Sequence, residues 1–242
     1  MDEQELDDLS PVILALLDGA LVDAEDLKYE LGRAWHLGMI LVGTSVKPML
    51  DRLHETSCEL LYAAAGADTA WVWLGNPVAG GLPTEDCLRS LLSTDLAVAL
   101  GPAEAGLQGW RRTHMYAKAA LPVAVRRGPG LFSCADVVLE AAILKDSSLA
   151  ALLSETYLAP LKGLLRDRDD VVRNTLQAYF TSGQCVKTTA AQLRVDRRTV
   201  WYRLEQIALR LGYAPQERRA ELELALRLAR LTSPDSYSGE RS

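Results

Sequence analysis

Residues 188–212, TTAAQLRVDRRTVWYRLEQIALRLG, decide how the last third of this 242-residue chain is organised. Val200, Leu204, Ile207 and Leu211 recur at i, i+4, i+7 and i+11, a single apolar stripe along a helix predicted over Arg197–Leu211, with Gly212 as its stop. A shorter helix is predicted over Lys187–Leu193, where the small pair Ala190 and Ala191 admits a neighbouring helix. Arg194, Val195 and Asp196 make the turn between them, with Val195 facing the core and Asp196 available as N-cap. The surface opposite the stripe presents Arg197, Arg198, Trp201 and Tyr202, flanked by Arg203. Two helices, a tight turn and a cationic outer face form the pattern of a helix-turn-helix whose second helix enters a major groove.

Charge sets this region apart. Residues 1–183 hold 15 Lys and Arg against 25 Asp and Glu, whereas residues 184–242 hold 11 against 7. A net −10 body therefore carries a net +4 carboxyl-terminal segment, so anion binding is favoured at one place and discouraged elsewhere. Arginine can donate a pair of hydrogen bonds to guanine O6 and N7, while Lys187, Thr188 and Thr199 near the helix starts suit phosphate oxygens. The expected partner is double-stranded DNA, touched by Lys187, Thr188, Arg197, Arg198, Thr199, Trp201, Tyr202 and Arg203. One such module offers few base contacts, so a homodimer reading two half-sites is expected. The alternative is a helical bundle whose basic face merely meets water, for which an outward Trp201 is an odd choice.

Upstream the pattern changes. Leu6, Leu9, Val12, Ile13, Leu16 and Leu17 have helical spacing behind a Ser10-Pro11 start, and a second helix is predicted from about Asp23 to Ala34. Met39–Val42, Trp71–Leu74, Leu96–Leu100 and Leu131–Ser133 read as strands, the third stopped by Gly101-Pro102. Between them helices are predicted over Ser45–Ala65, Glu85–Leu92 and Trp110–Leu121, the last after a turn at Gly106–Gly109, and another helix follows from Ala135. From Leu149 on, every periodic segment is helical. The fold class expected is α+β, with an N-terminal helical segment (1–34), a sheet-and-helix domain (35–148), an all-helical domain (149–232) and a flexible tail (233–242).

The string at 188–212 resembles the carboxyl-terminal helix-turn-helix of PucR/CdaR-type bacterial transcription regulators, whose pattern runs A-A-x-L-x-V-H-R-N-T-V-x-Y-R-L. VVRNTLQAYF (171–180) and ELELALRLARL (221–231) are similar to that family's first and closing helices. The usual His is Asp196 here and the usual Asn is Arg198. HLGMILVGTS (36–45) and LAVALGPAEAGLQGWRRTHMYAKAAL (96–121) are similar to the degenerate GGDEF-like domain that precedes the DNA-binding domain in these regulators. The resemblance implies a DNA-binding transcription regulator with a GGDEF-like scaffold that dimerises or answers a small-molecule effector.

Catalysis is not expected. A GGDEF-type cyclase needs carboxylates for magnesium beside its glycine turn, but Leu82-Pro83 follow Gly80-Gly81, and Glu85-Asp86 fit a helix start. Gly43-Thr44-Ser45-Val46-Lys47 breaks the nucleophile-elbow pattern at its second glycine. Cys58, Cys87, Cys134 and Cys185 are too scattered for a zinc site or a disulfide framework, and His36, His54 and His114 lack partners in ligand spacing, so no metal and no cofactor are expected. Arg111-Arg112 beside Trp110 are weighed as an anion site and as a solvated helix start. The second functional reading is a nucleotide-binding sensor or enzyme working through the middle domain, with the carboxyl-terminal helices as an interaction module. The acidic start MDEQELDD and the lack of an apolar run of about 18 to 20 residues point to a cytoplasmic protein, held at the nucleoid when bound.

Overall fold

The computed structural model describes residues 11–20, 27–167 and 169–232. Its fold class is α+β, with two compact units that part between Ala141 and Ala142. The sequence positions Leu6, Leu9 and Ser10, the start of the helix expected from Asp23, and the tail from Ser233 lie outside the described residues.

The first unit is built on a five-stranded sheet. Its strands are β1 (Trp35–Val42), β2 (Glu59–Gly66), β3 (Thr69–Asn76), β4 (Ala97–Ala105) and β5 (Gly130–Ser133), in the order β2-β3-β1-β4-β5. Strand β1 is antiparallel to both β3 and β4, and β2 and β3 form a hairpin. Strand β5 lies parallel to β4, which requires a crossover connection. That crossover is the long helix Gly106–Arg127. Helices 11–17 (α1), Val46–His54 (α2), Glu85–Leu91 (α3), Gly106–Arg127 (α4) and Cys134–Ile143 (α5) complete the numbering up to the second unit.

Alternation in the strands sends side chains to two cores. Met39, Leu41, Val72, Leu74, Val98 and Leu100 meet Met49 and Leu53 of α2 and Leu88 of α3 on one face. Leu61, Ala63 and Trp73 meet Trp110 of α4 and Ile13 and Leu16 of α1 on the other. Helix α4 lies so close to the sheet that glycine is required beneath it. A Cβ on Gly101 would stand 2.0 Å from the Thr113 carbonyl oxygen, and one on Gly38 would stand 2.9 Å from Thr113 Cγ2. The Gly38 N–H also donates to Thr113 Oγ1 at 2.8 Å.

Four sequence expectations need correction. The helix expected over Ser45–Ala65 ends at His54, and its second half is β2. Leu61 and Ala63 face one core while Leu60 and Tyr62 lie against the other, so a strand covered on both faces lacked the polar alternation that would have marked it. The third strand does not stop at Gly101-Pro102. It runs to Ala105 past a bulge, where the β1–β4 register shifts between Leu37 and Met39, and β5 pairs only as far as Leu100. Beyond Leu100 the strand has a free edge, and a bulge on an edge tolerates proline. Gly106–Gly109 is not a turn but the start of α4, which continues through Pro122 to Arg127. A Cβ on Gly109 would stand 2.7 Å from the Glu104 carbonyl carbon, so the glycine marks close packing rather than a break. Finally, Lys28–Ala34 is not helical. Glu30 Oε1 accepts from the Gly32 and Arg33 N–H groups at 2.8 and 3.1 Å, bonds that hold a turn and compete with a helix.

The regular elements of the second unit among the described residues are all helices: α6 (Ser147–Tyr157), α7 (Leu164–Asp167), α8 (Asp169–Thr181), α9 (Val186–Leu193), α10 (Arg197–Leu211) and α11 (Arg219–Thr232), with short 3-10 turns between. Asp146 caps α6, its Oδ1 accepting from the Ser148 and Leu149 N–H groups. The core of this unit joins Val172, Leu176, Tyr179 and Phe180 of α8 to Ala190 of α9, to Val200, Leu204 and Ile207 of α10, and to Leu222, Ala225 and Leu226 of α11.

Candidate nucleic-acid interface

The site grows from two tight turns. After α8 the chain turns through Gly183 (φ 64°) and Gln184 (φ 63°), whose N–H groups return to Phe180 and Tyr179 carbonyls at 3.1 and 2.8 Å. Helix α9 is then short enough to leave room for its partner, and Ala190 is buried against the others. Arg194 takes the left-handed conformation (φ 53°), and the Val195 N–H donates to the Ala190 carbonyl at 3.0 Å. A non-glycine residue in that conformation costs on the order of 1 kcal/mol, offset by half-burial of Val195 beside the core. Helix α10 begins at the next residue but one and ends at Gly212 (φ 79°), whose N–H reaches the Ala208 carbonyl at 2.8 Å.

Val200, Leu204 and Ile207 turn one face of α10 inward, as the stripe requires. The remaining faces are wet. Arg197 and Arg198 are exposed, Trp201 is 65% exposed and Tyr202 55%. Neither Arg197 nor Arg198 forms an ion pair or hydrogen bond through its side chain among the described residues. Asp196, Arg197, Arg198, Thr199 and Tyr202 line one open depression at the start of the helix. Trp201 stands beside it rather than in its lining. Lys187 and Thr188 lie exposed in the first turn of α9.

Arg203 is placed differently from the rest. It is half-buried, and its Nη1 donates to Thr175 Oγ1 of α8 at 3.2 Å, tying α10 to the helix behind it. Arg210 similarly donates to the Pro160 carbonyl at 2.8 Å. Asp196 occupies the N-cap position, yet its side chain makes no capping bond. Its backbone carbonyl instead accepts from the Thr199 and Val200 N–H groups at 3.0 and 3.2 Å. Sequence reasoning thus took Asp196 for a cap and missed it as a lining residue. The signal was present in the departure from the usual His, which removed a neutral group and put a carboxylate among arginines.

Cys185 precedes α9 and is exposed. The Thr188 hydroxyl, then the backbone N–H groups of Thr188 and Lys187, hold its thiol below the ordinary cysteine range. Among the described residues no group of three His, Cys, Asp or Glu side chains could hold a metal ion, and no helix is long and apolar enough to cross a membrane.

Residues 172–228 match the family described as PucR C-terminal helix-turn-helix domain, a span that takes in most of α8, all of α9 and α10, and the greater part of α11. Among solved structures, the regulator of polyketide synthase expression from Bifidobacterium adolescentis is similar at 19% identity and a TM-score of 0.44, with 96% of this chain and 94% of that chain covered. No curated protein matches the chain.

Proposed function

We propose that this chain, whose residues 172–228 carry a PucR C-terminal helix-turn-helix domain, is a transcription regulator that reads duplex DNA with α10 in the major groove. The observation that carries the reading is the pair Arg197 and Arg198, exposed at the start of α10 with no internal partner among the described residues. Two arginines left unengaged beside exposed Trp201 and Tyr202 are available for an anionic, aromatic ligand. Arg197 and Arg198 then contact base edges and phosphates, Lys187, Thr188 and Thr199 hold phosphates, and Trp201 and Tyr202 pack on sugar and base. Arg203, held by Thr175, fixes the helix against α8 and offers its remaining N–H groups to the backbone of the duplex.

A single domain of this size supplies few base contacts, so the working species is a homodimer whose two recognition helices lie about 34 Å apart, one turn of the duplex. The sheet unit fits the role of a degenerate GGDEF-like scaffold. The two stretches that carry that resemblance form β1, β4 and most of α4, the centre of the sheet and the helix crossing it. Such a protein acts in the cytoplasm, where the DNA is, and needs no catalytic group.

Selection of genomic fragments by the purified protein, followed by mobility-shift titration of the enriched duplex, tests the reading. Arg198→Ala and Trp201→Ala weaken that complex and leave thermal unfolding unchanged. Equal affinity and an unaltered footprint for both variants would refute the assignment of α10.

A further inference from the structure

We infer that Asp196 and Arg198 together read one G·C base pair, Arg198 donating to guanine O6 and N7 and the Asp196 carboxylate accepting from the N4 amino group of the paired cytosine. The inference rests on the duplex reading above and adds a residue and a base preference to it.

Its starting point is a carboxylate with no structural task. An aspartate at an N-cap ordinarily accepts from the N–H of the second or third helical residue and so stabilises its own helix. Here the Thr199 N–H is taken by the Asp196 carbonyl oxygen, and the side chain makes no capping bond. No ion pair joins Asp196 to Arg197 or Arg198 among the described residues, although all three line the same depression. The carboxylate is therefore unengaged, on an exposed residue that lines the same depression as Arg197 and Arg198.

On that surface an idle anion is a liability, because it repels every phosphate. The repulsion is offset only by a hydrogen-bond donor on the nucleic acid, and the major groove offers donors solely as the amino groups of cytosine and adenine. The neighbour decides between them. At about 100° per residue, Arg198 lies opposite the stripe of Val200, Leu204 and Ile207, with Tyr202 one turn along the same outer face. Arg197 lies nearer the edge of that stripe and suits a phosphate. An outward arginine at the start of a recognition helix prefers guanine, whose partner in the pair is cytosine. One carboxylate and one guanidinium, two positions apart at a helix start, match the two edges of a G·C pair and mismatch A·T, which offers the arginine a single acceptor on adenine.

The experiment selects duplexes from a randomised pool with the full chain as wild type, Asp196→Ala, Asp196→Asn and Arg198→Ala. The wild type enriches a half-site with one invariant G·C pair. Asp196→Ala lowers the preference for that G·C pair over the other pairs by about 5- to 150-fold while the other positions hold, and Asp196→Asn, whose amide oxygen still accepts from the cytosine amino group, lowers it less. Both also bind random duplex a few-fold more tightly, since a repulsive charge is gone. Arg198→Ala relaxes the same pair, because its guanine and cytosine are selected together. The inference is overturned if Asp196→Ala keeps the wild-type preference at that pair, if the position it relaxes is an A·T pair or one that Arg198→Ala leaves untouched, or if every position weakens by one common factor, as loss of a helix cap would produce. A wild type that enriches no sequence overturns the duplex reading itself, a result distinct from an enriched site indifferent to Asp196.

Discussion

Helices α4 and α10 each carry four arginines, more than any other helix among the described residues, and they use them differently. Helix α4 carries Arg111, Arg112, Lys118, Arg126 and Arg127 and no acidic residue. By sequence it is the more basic of the two. Yet its arginines are engaged by the fold: Arg111 Nε donates to the Leu16 carbonyl at 2.6 Å, Arg112 pairs with Glu104 at 2.6 Å, Arg126 bonds the Pro122 carbonyl at 2.9 Å, and Arg127 pairs with buried Glu140 at 3.0 Å. Helix α10 engages Arg203 and Arg210 in the same manner but leaves Arg197 and Arg198 without partners among the described residues. A count of basic residues would rank α4 first as an anion site, whereas the count of unengaged ones ranks α10 first. The Arg111-Arg112 pair, weighed on sequence as an anion site, is a structural fastening: Arg111 holds the end of α1 and Arg112 holds β4.

The contrast can be broken most directly by charge removal. Arg197→Ala combined with Arg198→Ala lowers affinity for the selected duplex at least about thirtyfold, given about 1 to 3 kcal/mol for each arginine contact. Arg112→Ala on α4 leaves it within a factor of about two, and equal losses in mobility-shift titrations of the two would abolish the distinction. The next effect is on stability alone. Gly101→Ala drives a methyl group into the Thr113 carbonyl and forces α4 away from the sheet, at about 3 kcal/mol in urea unfolding monitored by tryptophan fluorescence.

The third prediction concerns pH. His114 of α4 is buried edge-on to Trp71, with ring centroids 4.8 Å apart, its Nδ1 has no hydrogen-bond partner, and burial followed by the nearby Lys118 charge pushes its pKa down to about 4. Since the folded value lies below that of the unfolded chain, the unfolded state takes up the proton first. Stability contributed by the neutral ring is complete above about pH 6.5 and is lost as pH falls toward 4, amounting to about 2 kcal/mol by pH 5. His114→Phe flattens that part of the profile in denaturant titrations at pH 7 and pH 5, whereas no His lies on α10 to give the second unit a matching slope. The smallest effect is at Arg203. Arg203→Met removes one hydrogen bond to Thr175 and costs about 1 kcal/mol in unfolding, with only a few-fold change in duplex affinity. A loss in binding as large as that of Arg198→Ala would move Arg203 from the fastening group to the reading group.

Legibility differed between the two units for a physical reason. Helix α10 was readable to the residue at both ends because its stripe, its stop at Gly212 and its start after Asp196 are local signals that agree. In the sheet unit, α3 was readable because Glu85 and Asp86 suit a first helical turn, and the structure adds Thr84 as its cap, accepting from the Cys87 N–H at 3.3 Å. Strand β2 was not, because Leu60, Leu61, Tyr62 and the alanines after them suit a helix equally well, and only pairing with β3 selects the extended form. Helix α4 hid its first turn behind two glycines and its last behind Pro122, since small residues demanded by close packing look like residues that break a helix. His36 shows the same limit. It is fully buried, its ring accepting from the Tyr29 hydroxyl at Nδ1 and donating from Nε2 to the Leu31 carbonyl, partners that come from a non-helical segment.

By itself the sequence determined the α+β class, the helix-turn-helix at 187–211 and the cationic character of the face that α10 presents, because these follow from periodicity, capping and charge within a few turns of chain. The tertiary structure alone decided the order of the five strands, the course of β4 past its bulge, and which arginines remain unengaged. Those outcomes depend on partners far away in sequence, Leu16 for Arg111, Thr175 for Arg203, Thr113 for Gly38, and a hydrogen bond or a close approach exists only once the fold has brought both groups together.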